Sequence, residues 1–366
     1  MSQPRVANLL GPRAFFKHLS DLTRTMTGNS KKKLGFGGFG FTALVRRKKP
    51  SGEPQQRMAI KFIVGTSPAR WQTLIREIDI LKIVNGASHI VSILANCEDI
   101  VEAAADWVSP GDDSVQTPLS AVFTGFVGLT GPALALEYLE HGDIAGLMNK
   151  LRRAGRTVPN RILWSFFFCL IRASIGMAYP PTQPIGSDVQ ILDELPADHS
   201  PETEGRMAHN DFNTRNIMLT VGDGPEHGIG VKAKLIDFGL TAPRYEFGSQ
   251  KNIFDAAETI TSMATVLVAG IANTTCDYKG FKTRAVHLLS TDDAPLPLPW
   301  LDPDLRDFLA RCMYESLQRP KLQEALQITQ NAVISKTAES FPVPRMETDS
   351  AIDSFVQVYI FDVPQE

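Results

Sequence analysis

A glycine-rich segment near the start of the chain, GFGGFG at residues 35–40, constrains the fold more than any other feature. Glycine lets bare backbone turn tightly or approach a ligand closely. The residues that follow, 41–45, are apolar and β-prone and contain no helix start signal. A dinucleotide-binding glycine loop opens a helix, and a Walker loop ends in GK[ST], so neither pattern fits. The sequence predicts a strand, a glycine loop and a second strand.

The apolar pattern of the first part of the chain predicts a sheet and one helix. Residues 33–62 alternate short apolar runs with glycine and a polar loop, which predicts three consecutive antiparallel strands. Residues 71–84 carry apolar side chains mostly at helical spacing. Residues 90–94 and 133–138 are typical of two further strands. Between those two strands, residues 99–131 are rich in glycine and proline, and we interpret them as an insertion.

Helical patterns dominate after residue 142. They cover residues 144–153, 161–177, 254–272, 303–315 and 322–335. This order predicts an α+β protein with two unlike lobes, a small antiparallel sheet lobe with one main helix and a larger helical lobe. We expect a helical N-terminal extension at 1–33, the small lobe at 34–137, the large lobe at 138–336 with an acidic surface loop at 181–205, and a C-terminal tail at 337–366.

Charge and cysteine content argue against several classes of protein. The formal net charge of -3 argues against a general nucleic-acid binder, which needs a basic surface. Cys97, Cys169, Cys276 and Cys312 lie far apart and form no CxxC pair. This spacing argues against a zinc site or a disulfide framework, and it favours a reducing compartment, the cytoplasm or the nucleus. The longest apolar runs are too short to span a bilayer, so no membrane span is expected.

Lys61 ends the run Met58-Ala59-Ile60-Lys61 on the third predicted strand, and Glu77 lies on the helix that follows. A strand lysine is ordinarily an edge or snorkelling residue, and a lone helix glutamate is ordinarily solvated. Together they can form an ion pair that aims the lysine at phosphate oxygens. Charge-assisted hydrogen bonds of this kind contribute about 1.5–3 kcal/mol each.

Two polar motifs follow in the helix-rich part. The sequence HNDFNTRN at 209–216 puts Asp211 five residues before Asn216, and LIDFG at 235–239 puts Asp237 at the end of an apolar stretch. Each motif alone is more typical of loop-capping Asx residues. Phosphoryl transfer needs a carboxylate that orients the acceptor hydroxyl and hard oxygen ligands for Mg²⁺. Asp211 suits the first role, and Asn216 and Asp237 suit the second.

The glycine loop, AIK, the helix glutamate, HxDxxxxN and DFG occur in the order of the protein-kinase signature. Over residues 34–326 the chain therefore resembles the eukaryotic protein-kinase superfamily, and its mixture of features looks most like the divergent kinase-like proteins of filamentous fungi. The resemblance implies the bilobal protein-kinase fold and ATP with Mg²⁺ as ligands. It also implies transfer of the γ-phosphate to a hydroxyl, with protein serine or threonine as the favoured acceptor.

The resemblance implies roles for individual residues. Asp211 would be the catalytic carboxylate, and Asn216 and Asp237 would hold Mg²⁺. The segment 137–139 would be a hinge whose backbone groups read adenine. The residues implied to bind ATP are Leu34, Gly35, Gly37, Gly38, Gly40, Thr42, Ala59, Lys61, Glu77, Glu137, Leu139 and Met218.

The chain departs from that family in several places. The arginine usual after the catalytic-loop histidine is Asn210, and the lysine usual two residues after the catalytic aspartate is Asn213. Asn252 stands where an aspartate usually opens the central helix. Only residues 240–251 separate the DFG from that helix, with no APE triplet, so the segment that docks a peptide is nearly missing. That segment offers Thr241, Tyr245 and Ser249 as hydroxyls, and we expect no phosphorylation switch there.

Three functions remain open at this point. A protein serine/threonine kinase, active or weakly active, is favoured because every phosphate- and metal-binding residue is present, and it would have a protein substrate. A kinase of a small metabolite is the second, since HNDxxxxN also resembles the loop of aminoglycoside and choline kinases. The third is a scaffold that holds nucleotide without useful transfer, because two catalytic-loop cations are missing.

Overall fold

The computed structural model describes residues 32–37, 40–47, 56–63, 67–97, 131–181, 183–185, 190–200, 203–266, 274–289 and 297–361. The expected insertion, Gly38 and nearly all of the expected N-terminal extension lie outside these residues. The described part combines seven α-helices with small antiparallel sheets. The α+β class predicted from the sequence is confirmed.

A five-stranded antiparallel sheet is the first element of the fold. Its strands are β1 (Lys32–Gly37), β2 (Gly40–Arg47), β3 (Gln56–Phe62), β4 (Ile93–Cys97) and β5 (Ala133–Glu137), in the order β1-β2-β3-β5-β4. The three consecutive strands predicted within 33–62 are confirmed. The strand predicted at 90–94 was wrong by three residues at its start. Ile90 instead forms an isolated parallel bridge with Leu235, which takes it out of the sheet.

One face of this sheet carries its hydrophobic core. Because side chains alternate along a strand, the odd and even positions of β2 and β3 separate into two sets. The core set is Phe41, Ala43, Val45, Met58, Ile60, Phe62, Leu94, Ala95, Ala133 and Ala135, all buried. The helix α1 (Pro68–Ile83) follows β3, begins with proline in its first turn, and buries the stripe Leu74, Glu77, Ile78, Ile80 and Leu81. A glutamate within an otherwise apolar stripe needs a partner, as described below.

Six helices and two hairpins make up the rest of the described chain. The helices are α2 (Ile144–Ala154), α3 (Asn160–Ala178), α4 (Gly248–Thr265), α5 (Pro303–Cys312), α6 (Leu322–Ser335) and α7 (Asp349–Val356). The hairpins are β6 (Ile217–Val221) with β7 (Val231–Leu235), and β8 (Cys276–Tyr278) with β9 (Phe281–Thr283). The helix predicted at 322–335 is confirmed at both ends.

Helix α3 is the buried centre of this helical part, since all but one of its residues are buried. Among the described residues it is also the one helix long and apolar enough to cross a bilayer. However, 94% of its apolar window is buried inside the protein. It is therefore a core helix, surrounded by protein on nearly every side.

Helix α4 begins at Gly248, six residues before the start predicted at Phe254. The prediction followed the apolar pattern, which is absent from the polar first turn. A side chain at Gly248 would lie 2.7 Å from the Arg206 carbonyl carbon and 2.8 Å from the Met207 oxygen. Glycine is therefore required where the first turn of α4 packs directly against the backbone of residues 206–207.

The chain divides into two compact units. The first contains Met1–Gly86, Val91–Tyr138 and Thr182–Gln190, and the second contains Ala87–Ile90, Leu139–Pro181 and Ile191–Glu366. The acidic loop predicted at 181–205 thus contributes to both. It is also less solvated than its charge indicated, because Asp193 is only 4% exposed. The burial is possible because Asp193 accepts hydrogen bonds from both the backbone and the ring of His89.

The apolar C-terminal stretch packs on the second unit. Helix α7 continues into a π-helical turn at Gln357–Phe361, in which Ile360 is buried. The Phe361 ring lies 4.6 Å from the ring of His141, measured between centroids. Lys150 Nζ donates to the Tyr359 carbonyl at 3.1 Å. These contacts hold the C-terminal stretch over its described residues, which end at 361.

Candidate active site

Three of the residues implied to bind nucleotide share one face of the sheet. Thr42 on β2 pairs directly with Lys61 on β3. Ala59 lies two residues before Lys61, so its side chain points to the same face. All three are half-buried, whereas their neighbours on the opposite face, such as Ile60, are fully buried. The alternation of the strands therefore separates a half-open surface from the core of the first unit.

The glycine segment contributes to two paired strands. Gly35 pairs with Thr42, and Gly37 pairs with Gly40, so β1 and β2 are antiparallel and Gly40 begins a strand and not a helix. The register shifts between Lys33 and Gly35, which makes Leu34 a bulged residue, 38% exposed. The two strands predicted on either side of the glycine loop are confirmed, and residues 38–39 lie outside the described residues.

Lys61 is held by a buried carboxylate. Lys61 Nζ lies 2.7 Å from Oε2 and 2.9 Å from Oε1 of Glu77. Glu77 is 2% exposed and the lysine side chain 11% exposed. Two charges this well shielded interact strongly, but each also loses most of its hydration, so the net stabilisation from forming the pair is small. It fixes the position of the ammonium group within the first unit.

The predicted hinge residues fall in different local environments. Glu137 ends β5, where its Oε1 accepts the Ser92 N–H at 2.7 Å and its own N–H donates to the Ser92 carbonyl at 3.1 Å. Its carboxylate thus accepts a hydrogen bond from the residue directly before β4. In the second unit, Leu139 is buried, and Met218 on β6 is half-buried and forms an isolated bridge with Asp143.

Two asparagine side chains hold the Asp211 carboxylate. Asn216 Nδ2 donates to Asp211 Oδ2 at 2.7 Å and to the Asp211 carbonyl at 2.8 Å. Asn213 Nδ2 donates to Oδ1 at 2.7 Å and to the same carbonyl at 3.0 Å. Because these acceptors cannot donate, both amides must turn their NH₂ groups to Asp211. The Oδ1 atom of Asn216 therefore points away from Asp211.

His209 joins the two aspartate-bearing segments of the second unit. Its Nε2 lies 3.1 Å from the carbonyl of Ile236, the residue before Asp237, and its Nδ1 lies 3.3 Å from the N–H of Asp211. The acceptor carbonyl and the donor amide fix the neutral tautomer with the proton on Nε2. Burial lowers the pKa of His209 to about 4, against the opposing effect of Asp237. The ring is therefore neutral at physiological pH and connects both segments.

Asp237 follows β7 in a left-handed conformation, with φ of 63°. Phe238, directly after it, is fully buried and packs edge-on against the His209 ring, with 4.7 Å between centroids. Left-handed backbone is uncommon for non-glycine residues and least unfavourable for Asp and Asn. Asn210 has the same conformation, with φ of 62°. Asn210 is therefore a residue that tolerates the left-handed backbone conformation at this position.

Asn252 on α4 holds the backbone at the start of the loop 209–216. Its Oδ1 accepts the His209 N–H at 3.0 Å, and its Nδ2 donates to the Met207 carbonyl at 2.9 Å. The side chain is 1% exposed, so both bonds replace water that cannot reach it. Since one partner is a donor and the other an acceptor, an amide satisfies both, and a carboxylate would satisfy one.

The short segment between the DFG and α4 is tied to neighbouring backbone. Ala242 exchanges two hydrogen bonds with Ala208, at 2.9 and 2.8 Å, and Tyr245 donates to the Arg206 carbonyl at 2.6 Å. Of its three hydroxyl residues, Thr241 and Ser249 are buried and Tyr245 is 42% exposed. Two of the three possible phosphate acceptors are therefore shielded in this fold.

No protein-family model matches this chain. Any functional assignment therefore depends on how the fold positions these side chains. Within the first unit it brings together Thr42, Ala59, Lys61 and Glu77. Within the second it brings together Asp211, Asn213 and Asn216 directly, and it links them to Asp237 through His209. The bridging roles of His209 and Asn252 have no signal in the sequence beyond the motif around them, because both depend on contacts between distant elements.

The Glu77–Lys61 pair predicts a large cost for removing one charge. Glu77→Gln should destabilise the protein by about 3–5 kcal/mol, because it removes one charge of a buried ion pair in which both carboxylate oxygens hold the lysine ammonium. The change in denaturant midpoint measures it. Asp79→Asn on the same helix is the matched control, since Asp79 is 64% exposed and lies 4.0 Å from Lys82. The control should change stability by about 0.5 kcal/mol or less. Equal losses in the two variants would contradict the assigned role of Glu77.

Asn252 provides a second test, directed at the backbone at the start of the loop 209–216. Asn252→Asp should destabilise the protein by about 1–3 kcal/mol, because the Met207 carbonyl loses its donor and faces a carboxylate oxygen. Asn331→Asp makes the same chemical change at an exposed site on α6 and should have little effect. Equilibrium unfolding monitored by circular dichroism compares them. Unchanged stability in Asn252→Asp would show that the amide's donor is dispensable.

Proposed function

We propose that this chain is an ATP-dependent phosphotransferase with the bilobal protein-kinase fold, which transfers the γ-phosphate of Mg-ATP to a hydroxyl group, with protein serine or threonine as the favoured acceptor. The observation that carries the proposal is the Asp211–Asn216 pair. One amide NH₂ holds the carboxylate that would orient the acceptor, and the oxygen of the same amide remains for a metal.

Lys61 supports a phosphate-binding role in the first unit. Its ammonium has three N–H donors, and hydrogen bonds to both oxygens of Glu77 fix its position. The half-open face that it shares with Thr42 and Ala59 combines a charged donor with a hydroxyl and two methyl groups, so it could bind a ligand with both polar and apolar parts. Lys61 would bind phosphate oxygens, and the glycines of the β1–β2 turn would let backbone N–H groups approach them.

The donor set in the second unit fits Mg²⁺. Asn216 offers Oδ1, which is turned away from Asp211, and Asp237 offers a carboxylate held near His209 by the φ of 63°. Both are hard oxygen ligands of the kind that Mg²⁺ prefers beside phosphate oxygens. When bound, the ion neutralises charge on the phosphates. Asn216 and Asp237 would hold it.

Asp211 would orient the acceptor hydroxyl and accept its proton. The two amide hydrogen bonds occupy one direction on each carboxylate oxygen and leave further lone-pair positions on both. They also prevent rotation of the carboxylate, so a hydroxyl bound to it would have a defined direction. Such positioning accounts for much of the catalysis available in phosphoryl transfer.

A nucleotide-binding scaffold is the second candidate, and one contact favours it. Asn213 places a neutral amide on Asp211 Oδ1 at 2.7 Å, where the kinase resemblance implies a lysine nearby. The loop therefore lacks a cation that would stabilise charge on the transferring phosphate. Such a protein would bind Mg-ATP and transfer phosphate slowly or not at all. The burial of Thr241 and Ser249 further indicates that neither candidate is switched by phosphate on those residues.

Mg-ATP should stabilise the fold under either candidate. A ligand at a hundredfold excess over its dissociation constant adds about 2.7 kcal/mol of apparent stability. The measurement is the melting temperature of the full chain with ATP alone, Mg²⁺ alone and both. Asp237→Asn should remove most of the Mg²⁺-dependent part of the shift. If saturating Mg-ATP leaves the melting temperature of the wild-type chain unchanged, the nucleotide-site assignment is wrong.

Transfer itself is tested by Asp211→Asn. The variant should lower phosphate transfer by about 10²–10⁴-fold, because the orienting carboxylate is lost, while the Mg-ATP thermal shift stays close to that of wild type. The assay uses labelled ATP with generic protein substrates and follows autophosphorylation. Asp198→Asn, at an exposed aspartate of the acidic loop, is the control. Wild-type protein that binds Mg-ATP but transfers at the Asp211→Asn rate would establish the scaffold.

A further inference from the structure

Three metal-binding side chains meet in the interior of the second unit, apart from the residues proposed for catalysis. They are His89 in the segment Ala87–Ile90, Cys169 in the middle of α3, and His227 at the end of the short 3₁₀ turn Pro225–His227. One ligand atom from each lies within 4.8 Å of the others. His89 and Cys169 are 0% exposed and His227 is 6% exposed.

The hydrogen bonds of the two histidines fix their tautomers. His89 Nδ1 lies 2.9 Å from Asp193 Oδ2, and His227 Nδ1 lies 3.1 Å from the Asp223 carbonyl. A carboxylate and a carbonyl can only accept, so both Nδ1 atoms carry protons. In a neutral ring the other nitrogen then has only a lone pair. The two Nε2 atoms lie 3.1 Å apart and face each other.

The two Nε2 atoms have no proton to share when both rings are neutral, so two lone pairs meet at hydrogen-bond distance in the interior. Moving a proton from Nδ1 to Nε2 on either ring transfers the same conflict to Asp193 or to the Asp223 carbonyl. A Lewis acid between the nitrogens removes the conflict.

We propose that His89 Nε2, His227 Nε2 and Cys169 Sγ bind one transition-metal ion of the zinc class, as a structural site that connects α3, the β6–β7 turn and the segment before β4. This site lies outside the phosphotransferase proposal and does not depend on it. Two imidazoles and a thiolate suit Zn²⁺ or Cu⁺ and do not suit Mg²⁺ or Ca²⁺, which prefer oxygen ligands.

The separation of the two histidine nitrogens is close to what such an ion requires. Zn–N bonds of about 2.0–2.1 Å at a tetrahedral angle separate two nitrogens by about 3.3–3.4 Å. The observed separation of the two Nε2 atoms is 3.1 Å, a few tenths of an ångström less. The ring centroids lie 5.3 Å apart, so the rings meet through their nitrogens. A small outward tilt of the rings would open the position beside Cys169.

The surroundings of the three ligands also resemble a built metal site. Metal-bound histidines usually donate their second nitrogen to a carboxylate or a carbonyl, as His89 does to Asp193 and His227 to Asp223. Asp193 is fixed in turn, because its carbonyl accepts Arg172 Nη1 at 2.6 Å.

The turn between β6 and β7 is shaped to return His227 to the interior. A side chain at Gly222 would lie 2.7 Å from the His227 Cβ and 2.8 Å from the Val231 carbonyl carbon, so only glycine fits there. Gly224 and Gly230 both have left-handed backbone, with φ of 79° and 73°. The glycines in the run GDGPEHGIG at 222–230 thus permit the close approach of His227 to the core.

The first test is metal content after refolding, because the buried ligands bind an ion most readily while the chain folds. The full chain is unfolded, refolded with excess Zn²⁺ or with a chelator, and passed through gel filtration with a mild chelator. We expect one Zn²⁺ per chain, and X-ray absorption of the zinc-loaded wild type should give one sulfur at about 2.3 Å and nitrogens at about 2.0–2.1 Å. A zinc shell without sulfur overturns the proposal, and an absence of bound zinc removes zinc as the ion of the site.

Variants then assign the ligands. Cys169→Ser should lower Zn²⁺ affinity strongly, measured by competition with a chromophoric chelator, and should abolish the thiolate-to-metal absorption of the Co²⁺-loaded protein. Cys312→Ser is the matched control, since Cys312 is also 0% exposed and lies on α5 of the same unit. Asp193→Asn should lower affinity by about 10–100-fold. Equal affinity in wild type, Cys169→Ser and Asp193→Asn would place any bound zinc elsewhere and overturn the proposal.

A parallel refolding with Cu⁺ under reducing conditions identifies the preferred ion. Binding of either ion at one per chain, lost in Cys169→Ser and kept in Cys312→Ser, supports the site. Stoichiometric Cu⁺ with no retained Zn²⁺ would assign it to copper. Failure of both ions to bind, in wild-type protein that refolds to its native circular dichroism spectrum, would overturn the site without bearing on the Mg-ATP measurements.

Discussion

The buried imidazole of His209 is the contact on which the arrangement of the second unit's polar loops depends. Two segments that carry aspartates, at 209–216 and 236–240, contain backbone groups that hydrophobic packing alone cannot satisfy. His209 holds one through the N–H of Asp211 and the other through the carbonyl of Ile236. Because burial keeps the ring neutral, it offers one donor and one acceptor without the cost of a buried charge.

Neutral polar side chains also hold the backbone and the carboxylate around His209, and one of them comes from helix α4. Asn252 supplies one acceptor and one donor to the backbone on either side of Ala208, and Asn213 and Asn216 supply donors to Asp211. Neutral amides thus replace charged groups at several positions where the kinase resemblance implies ions. An amide costs less to desolvate than an ion, and the charged side chains of the two segments are Asp211, Arg215 and Asp237. This arrangement suits binding and orientation better than it suits stabilisation of developing charge.

The acidic loop and the cysteines show how local interpretation of a sequence can miss the interior. Asp193 lies in a stretch without lysine or arginine, which predicted solvent, yet it is buried against His89 and Arg172. Cys169 has no neighbouring ligand in the sequence, and the spacing rule therefore argued against zinc. His89, Cys169 and His227 come together because α3, the segment before β4 and the β6–β7 turn pack on one another. The spacing of apolar residues along the chain does not predict that packing.

The sequence alone determined the α+β class, the three consecutive strands around the glycine segment, most helices within a few residues, and the Lys61–Glu77 pair. These follow from alternation, helical spacing and motif order, which are local properties of the chain. Tertiary structure alone decided that β4 starts at Ile93, that α4 begins at Gly248, and that His209, Asn252 and the His89–Cys169–His227 cluster connect distant segments. The physical reason is that hydrogen-bond partners and close backbone approaches are chosen by packing in three dimensions, and a residue's neighbours in sequence do not specify them.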